Sequence, residues 1–148
     1  MATHPQTLQN KLTVRFGVPE HGWLPVMFQA GDFELQFAAS NVPNNPLADL
    51  CSTLVLVLQG VSAEVRWHLE PDWYYFRFEV GGELCTLIIT EEPSHVEISR
   101  VTRTIKSLIM PFYRALKGTT SLLDTSEWVG ITPEKLKTLT LLAKYERK

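Results

Sequence analysis

The chain has 148 residues, 45% hydrophobic, 10% aromatic and 20% charged, with 8 glycines and 9 prolines. These proportions exclude collagen-like, disordered and coiled-coil classes and fit one globular α+β domain over residues 1–148. The formal charge of −2 is the remainder of two opposed parts: residues 1–98 carry 4 basic and 12 acidic side chains, whereas residues 99–148 carry 10 basic and 4 acidic.

A chain of this length buries roughly 70% of its unfolded surface, enough for a core without a disulfide or structural metal. The longest apolar run, residues 54–58, is too short to cross a bilayer, and the polar start MATHPQTLQNK has no apolar signal core. No membrane association is expected, and the expected location is cytoplasmic. Cys51 and Cys85 match no metal or redox spacing and are expected to be free core residues.

Residues 11–16 alternate, with Leu12, Val14 and Phe16 on one side, and predict a half-buried strand. Residues 17–22, which include Pro19, break it. Two further alternating runs flank Gly31-Asp32, a pair suited to a two-residue hairpin turn. That turn places Leu24, Val26 and Phe28 on the same face as Phe33, Leu35 and Phe37, so turn chemistry and hydrophobic pattern agree.

Asn45-Pro46 supplies a helix N-cap followed by proline at the first helical position, where its missing N–H costs nothing. Leu47, Leu50, Cys51, Leu54 and Leu58 continue at helical spacing, and Gly60 can end the helix. The apolar residues wrap far enough around it to predict burial on more than one side.

Residues 63–69 and 74–80 alternate on either side of Glu70-Pro71-Asp72-Trp73, and Gly81-Gly82 turns the chain into residues 83–90. This predicts a second three-stranded meander. Val65, Trp67, Leu69, Tyr74, Phe76, Phe78, Cys85, Leu87 and Ile89 form its core face. The opposite face gathers Arg66, His68, Glu70, Trp73, Tyr75, Arg77, Glu79, Thr86 and Ile88.

A long helix is predicted from Ser94, whose pairing with Glu97 matches a capping box. Its stripe runs through Ile98, Val101, Ile105, Leu108, Ile109, Phe112 and Leu116, with a bend at Pro111 and an end at Lys117-Gly118. After a linker over residues 119–130, Thr132-Pro133 caps a final helix with Leu136, Leu139 and Leu142 on one side and Ile131 as a staple, and residues 145–148 are expected to fray. The expected fold is therefore α+β: a mostly antiparallel sheet of two three-stranded meanders joined by a helix, with two C-terminal helices packed on it. The order of three strands, a helix and further strands is loosely similar to the architecture of small acidic bacterial secretion chaperones. It lacks their leading helix and any motif residue.

The four histidines, His4, His21, His68 and His95, have no second histidine or cysteine at metal spacing; His68 and Glu70, two residues apart on one strand face, could share a metal or a proton, but two ligands do not make a site, and neither a phosphate-binding glycine loop nor a nucleophile motif occurs. No metal and no cofactor are expected. Two surfaces stand out instead. One is the second meander's outer face, where His68, Trp73, Tyr75 and Arg77 lie among polar neighbours; it serves either as an interaction surface or as secondary core under a C-terminal helix. The other is a basic stripe on the long helix, Arg100, Arg103, Lys106, Arg114 and Lys117. That stripe lacks the interleaved aromatics of a single-strand binder, so nucleic acid is not the expected partner.

The expected role is a non-enzymatic binding protein or assembly subunit, chaperone-like or inhibitor-like, acting through protein contacts at His68, Trp73, Tyr75, Arg77, Arg100, Arg103 and Lys106. The alternative is a small-ligand enzyme with a pocket around His68, Glu70 and Tyr75. Unpaired sheet edges also lead us to expect self-association, a homodimer being the simplest closed solution.

Overall fold

The computed structural model describes residues 11–42, 45–120 and 133–144. Strands β1 (Leu12–Phe16), β2 (Trp23–Ala30) and β3 (Phe33–Ser40) form an antiparallel three-stranded sheet in that order. The hairpin at Gly31-Asp32 has the register expected from its turn, with Val26 opposite Phe37 and Phe28 opposite Leu35. Gly31 takes a φ of 61°, which the absence of a Cβ permits.

Helix α1 (Pro46–Leu58) begins as its sequence dictates: the Asn45 side chain accepts hydrogen bonds from the N–H groups of Leu47 (3.0 Å) and Ala48 (3.3 Å), and Pro46 opens the first turn. It ends at Gly60, with φ 87°, where the N–H of Gly60 bonds to Val57 O and that of Val61 to Leu56 O, both at 2.9 Å. Leu47, Leu50, Cys51, Leu54 and Val57 are fully buried because the helix packs on three neighbours.

The second sheet has four strands: β4 (Ala63–His68), β5 (Trp73–Gly81), β6 (Leu84–Glu92) and β7 (Val96–Thr104), antiparallel in that order. Both internal turns differ by two residues from the expected pairing. Trp67, not Leu69, faces Tyr74, because Leu69 N–H closes the turn onto Asp72 O at 2.8 Å and Glu70 reverses the chain at φ 73°. Val80 faces Cys85, the turn falling at Gly82-Glu83. A slip of two keeps every side chain on its face, so the expected core face survives except for Leu69, which enters the turn. The Glu70–Pro71 and Glu92–Pro93 peptide bonds are cis.

The fourth strand corrects the expected long helix. Residues 96–104 pair with β6 instead of continuing a helix, and α2 (Ile105–Thr120) starts only afterwards, capped by Thr104 Oγ1 on the Ser107 N–H at 3.2 Å. The apolar spacing misled for a physical reason. A bulge lets Thr90 face Glu97 while Ile89 faces Ser99, so Ile98 is an inserted residue and the step from Ile98 to Val101 becomes three. That step merges with the helical spacing that begins at Ile105. Pro111 lies inside α2 without ending it, and the helix continues to Thr120.

Helix α3 (Pro133–Lys144) buries Leu139 and Ala143 against α1 and α2. The linker from residue 121, the Thr132 cap, the Ile131 staple, residues 145–148 and His4 lie outside the described residues. The inner faces of both sheets and the three helices share one hydrophobic cluster. Its centre is aromatic: Phe112 of α2 lies 6.1 Å from Phe28, 6.3 Å from Phe76 and 5.4 Å from Phe78, and Phe37 meets Trp67 at 5.8 Å. Burying a side chain such as Phe112 contributes about 1.5–3 kcal/mol by transfer from water alone. The fold is α+β, and both C-terminal helices pack on the inner side.

Candidate functional site

With the helices on the inner side, the outer face of the four-stranded sheet is left uncovered by any helix among the described residues. One of the two expectations set a C-terminal helix over these aromatics; among the described residues none lies there. The antiparallel register brings residues distant in sequence into rows across it: Glu64 opposite Arg77, Arg66 opposite Tyr75, and His68 opposite Trp73. Tyr75 faces Thr90, Arg77 faces Ile88 and Trp73 faces Glu92 on the far side of β5, while Ile88 faces Arg100 on β7.

Side chains in these rows stack into a ladder. The Arg66 guanidinium lies 5.7 Å from the Trp73 ring and 5.0 Å from that of Tyr75, and its Nη2 donates to the Tyr75 hydroxyl. Arg77 covers Tyr75 at 4.9 Å. Tyr75 is therefore flanked by two guanidiniums, and each contact contributes about 0.5–1 kcal/mol at an exposed site. Ile88 and Thr90 lie buried beneath this layer. The ladder packs Trp73 closely enough that its indole N–H is shielded from solvent without a hydrogen-bond acceptor among the described residues.

The charges on this face are mostly paired within it. Arg77 Nε meets Glu64 at 3.2 Å, and Arg100 grips Glu97 with Nε and Nη2, each at 2.9 Å. The two-pronged bond to Arg100 holds the Glu97 carboxyl below its ordinary range. Glu92 is 2% exposed; it takes a hydrogen bond from Thr90 Oγ1 at 3.1 Å and holds His95 Nδ1 at 2.7 Å. Burial, reinforced by the charge of Arg66, lowers the His68 pKa below its ordinary 6.5 against the opposing pull of Asp49 and Glu70, which favours its neutral form.

His68, Trp73, Tyr75, Arg77 and Arg100 thus come together on one surface. Arg103 and Lys106 do not join it, and the basic helical stripe does not exist as expected. Arg100 and Arg103 belong to β7, on opposite faces, because the residues around them pair with β6. Arg103 Nη1 reaches Ser107 Oγ at 3.4 Å, and Lys106 sits in the first turn of α2. At the expected pocket, His68 faces Trp73, the Tyr75 hydroxyl is taken by Arg66, and Glu70 stands in an exposed turn from which its charge acts on His68. A cavity of about 360 Å³ lies elsewhere, between α1 and α3, lined by Cys51, Ser52, Val55, Leu56, Lys135 and Thr138.

Sequence reasoning put Arg66 on this face without giving it a role, although it joins the two aromatics. The available signal was cross-strand: an arginine opposite an aromatic in a hairpin stacks on it. The Glu92–His95 pair had no such signal, because its geometry depends on the chain reversal at His95, whose φ is 62°.

No family model matches the chain, and no curated protein matches it. Among solved structures, a chain of the CdiA-CT/CdiI toxin and immunity complex from Enterobacter cloacae is similar over 73% of this chain and 99% of that chain, at 10% sequence identity and a TM-score of 0.45.

Proposed function

We propose that the protein is a non-enzymatic binding protein whose outer face on the four-stranded sheet receives a protein partner. The observation that carries this is the open, pre-ordered surface of Arg66, Trp73, Tyr75, Arg77 and Arg100 over a buried Ile88. Stacked arginines and aromatics around an apolar centre have the composition of protein interfaces. The same surface suits nucleic acid poorly: the Tyr75 ring is already engaged by two guanidiniums, and Arg77 and Arg100, which would meet phosphates, are paired with Glu64 and Glu97.

Affinity capture from the native cell tests this. Wild type is compared with the double reversal Arg77→Glu/Arg100→Glu and with a control reversal on α3, Lys137→Glu/Lys144→Glu. A protein held by wild type and by the α3 control, and lost by the face variant, supports the proposal. A protein retained equally by all three chains refutes it.

A second reading, self-association, is favoured by β7. The edge of β4 is closed by α1, whose Thr53 hydroxyl donates to Glu64 O at 3.1 Å, and β1 packs on α2. Among the described residues no strand pairs with the outward side of β7, and Val96 on it is 50% exposed. Two copies pairing through β7 would close that edge. Sedimentation equilibrium decides: a mass that stays at 16.8 kDa up to about 0.1 mM excludes a dimer of that affinity.

A further inference from the structure

The geometry points to Arg66 as the seat for a single carboxylate presented by the partner protein. This rests on the proposed use of the outer face and specifies its chemistry. Three arginines stand on that face, and two are already neutralised within it: Arg77 by Glu64 and Arg100 by Glu97. Arg66 pairs with no carboxylate among the described residues; its contacts are the Tyr75 hydroxyl and the two aromatic rings.

Those contacts orient it. Trp73 and Tyr75 fix the guanidinium without satisfying its charge, so the planar fork is held ready for a two-pronged bond to a carboxylate, with less entropy lost on binding than for a free side chain. The neighbouring groups keep the seat at a single positive charge. The neutral form of His68 is favoured beside it, and Glu64 is engaged by Arg77. One arginine without a carboxylate, on a face that also carries Glu79 and Glu92, fits a single aspartate or glutamate and not a run of them. A polyanion, whether a polyphosphate or a run of acidic side chains, would also meet Glu79.

The test uses the full chain, isotopically labelled, titrated with a peptide of about twelve residues bearing one central glutamate, with its glutamine counterpart and with an oligothymidylate of similar length as the competing polyanion. The Arg66 Nε–H and Trp73 indole N–H resonances should move saturably with the glutamate peptide and not with the glutamine peptide. Arg66→Gln should weaken binding about tenfold or more, whereas Arg100→Gln should leave it within about twofold. Arg66→Lys, which keeps the charge and loses the fork, should recover only part of the affinity. The amide spectrum of each variant shows that it is folded.

Three results overturn the inference: equal binding by Arg66→Gln, full recovery by lysine, or tighter binding of the oligothymidylate than of the glutamate peptide. Captured partner still held by Arg66→Gln but lost by Arg77→Glu/Arg100→Glu would remove the role of Arg66 and leave the face intact. Partner retained by both variants would remove the face itself.

Discussion

The stacked ladder makes a quantitative claim about coupling between Arg66 and Tyr75. The guanidinium lies 5.0 Å from the ring, within the range of a cation–π contact, and also donates to the phenolic hydroxyl. At an exposed position the ring contact contributes about 0.5–1 kcal/mol. A hydrogen bond adds about 0.5–1.5 kcal/mol, and the exposure of Arg66 puts it at the low end. A double-mutant cycle with Arg66→Met and Tyr75→Leu should therefore report about 1–1.5 kcal/mol of coupling. With Tyr75→Phe, which removes only the hydroxyl, the coupling lost should be about 0.5 kcal/mol. Arg77 lies at 4.9 Å with its guanidinium held by Glu64, while the hydroxyl is taken by Arg66, so its cycle with Tyr75→Leu should give about 0.5–1 kcal/mol. Urea unfolding measures all of these: with a slope of about 2 kcal/mol per molar, 1 kcal/mol moves the midpoint by about 0.5 M. An Arg66–Tyr75 coupling below about 0.3 kcal/mol, or one smaller than that of Arg77, would show that the ladder is not ordered in solution and that Arg66 is not pre-positioned.

Other perturbations test the scaffold that carries this face. Phe112→Ala removes the ring that joins α2 to both sheets and should cost about 3–5 kcal/mol in urea unfolding, and a loss below about 1 kcal/mol would contradict the shared aromatic core. Asn45→Ala should cost about 1 kcal/mol by leaving two N–H groups of α1 without their acceptor, with Asn45→Asp close to wild type. Burial, aided by Glu79, pushes the Cys85 thiol from 9.0 up to about 11, so the folded chain holds this proton more tightly than the unfolded one. The stability linked to that proton is complete below about pH 9 and is lost as pH rises towards about 11, so the unfolding midpoint should fall across that window and fall less in Cys85→Ala.

Local chemistry alone determined much of this molecule. Asn45-Pro46 and Gly60 bound α1 because a cap, a fixed φ and a left-handed glycine act through bonds spanning a few residues. The Gly31-Asp32 turn set the register of β2 and β3 because turn length dictates pairing. The faces of β4, β5 and β6 were legible even where the turns differed, since alternation has period two and both slips were of two residues. Tertiary structure decided the rest. Residues 96–104 have apolar spacing compatible with a helix, and only the open edge of β6, together with the inserted Ile98, makes them a strand. That choice separates Arg100 from Arg103 and Lys106 and adds a fourth row to the outer face. It also starts α2 where its apolar side meets Phe28, Phe76 and Phe78 on the inner side, leaving the arginine ladder uncovered. A periodicity records which side chains share a face, but the partner that buries that face lies far away along the chain, so packing alone selects which surface stays open.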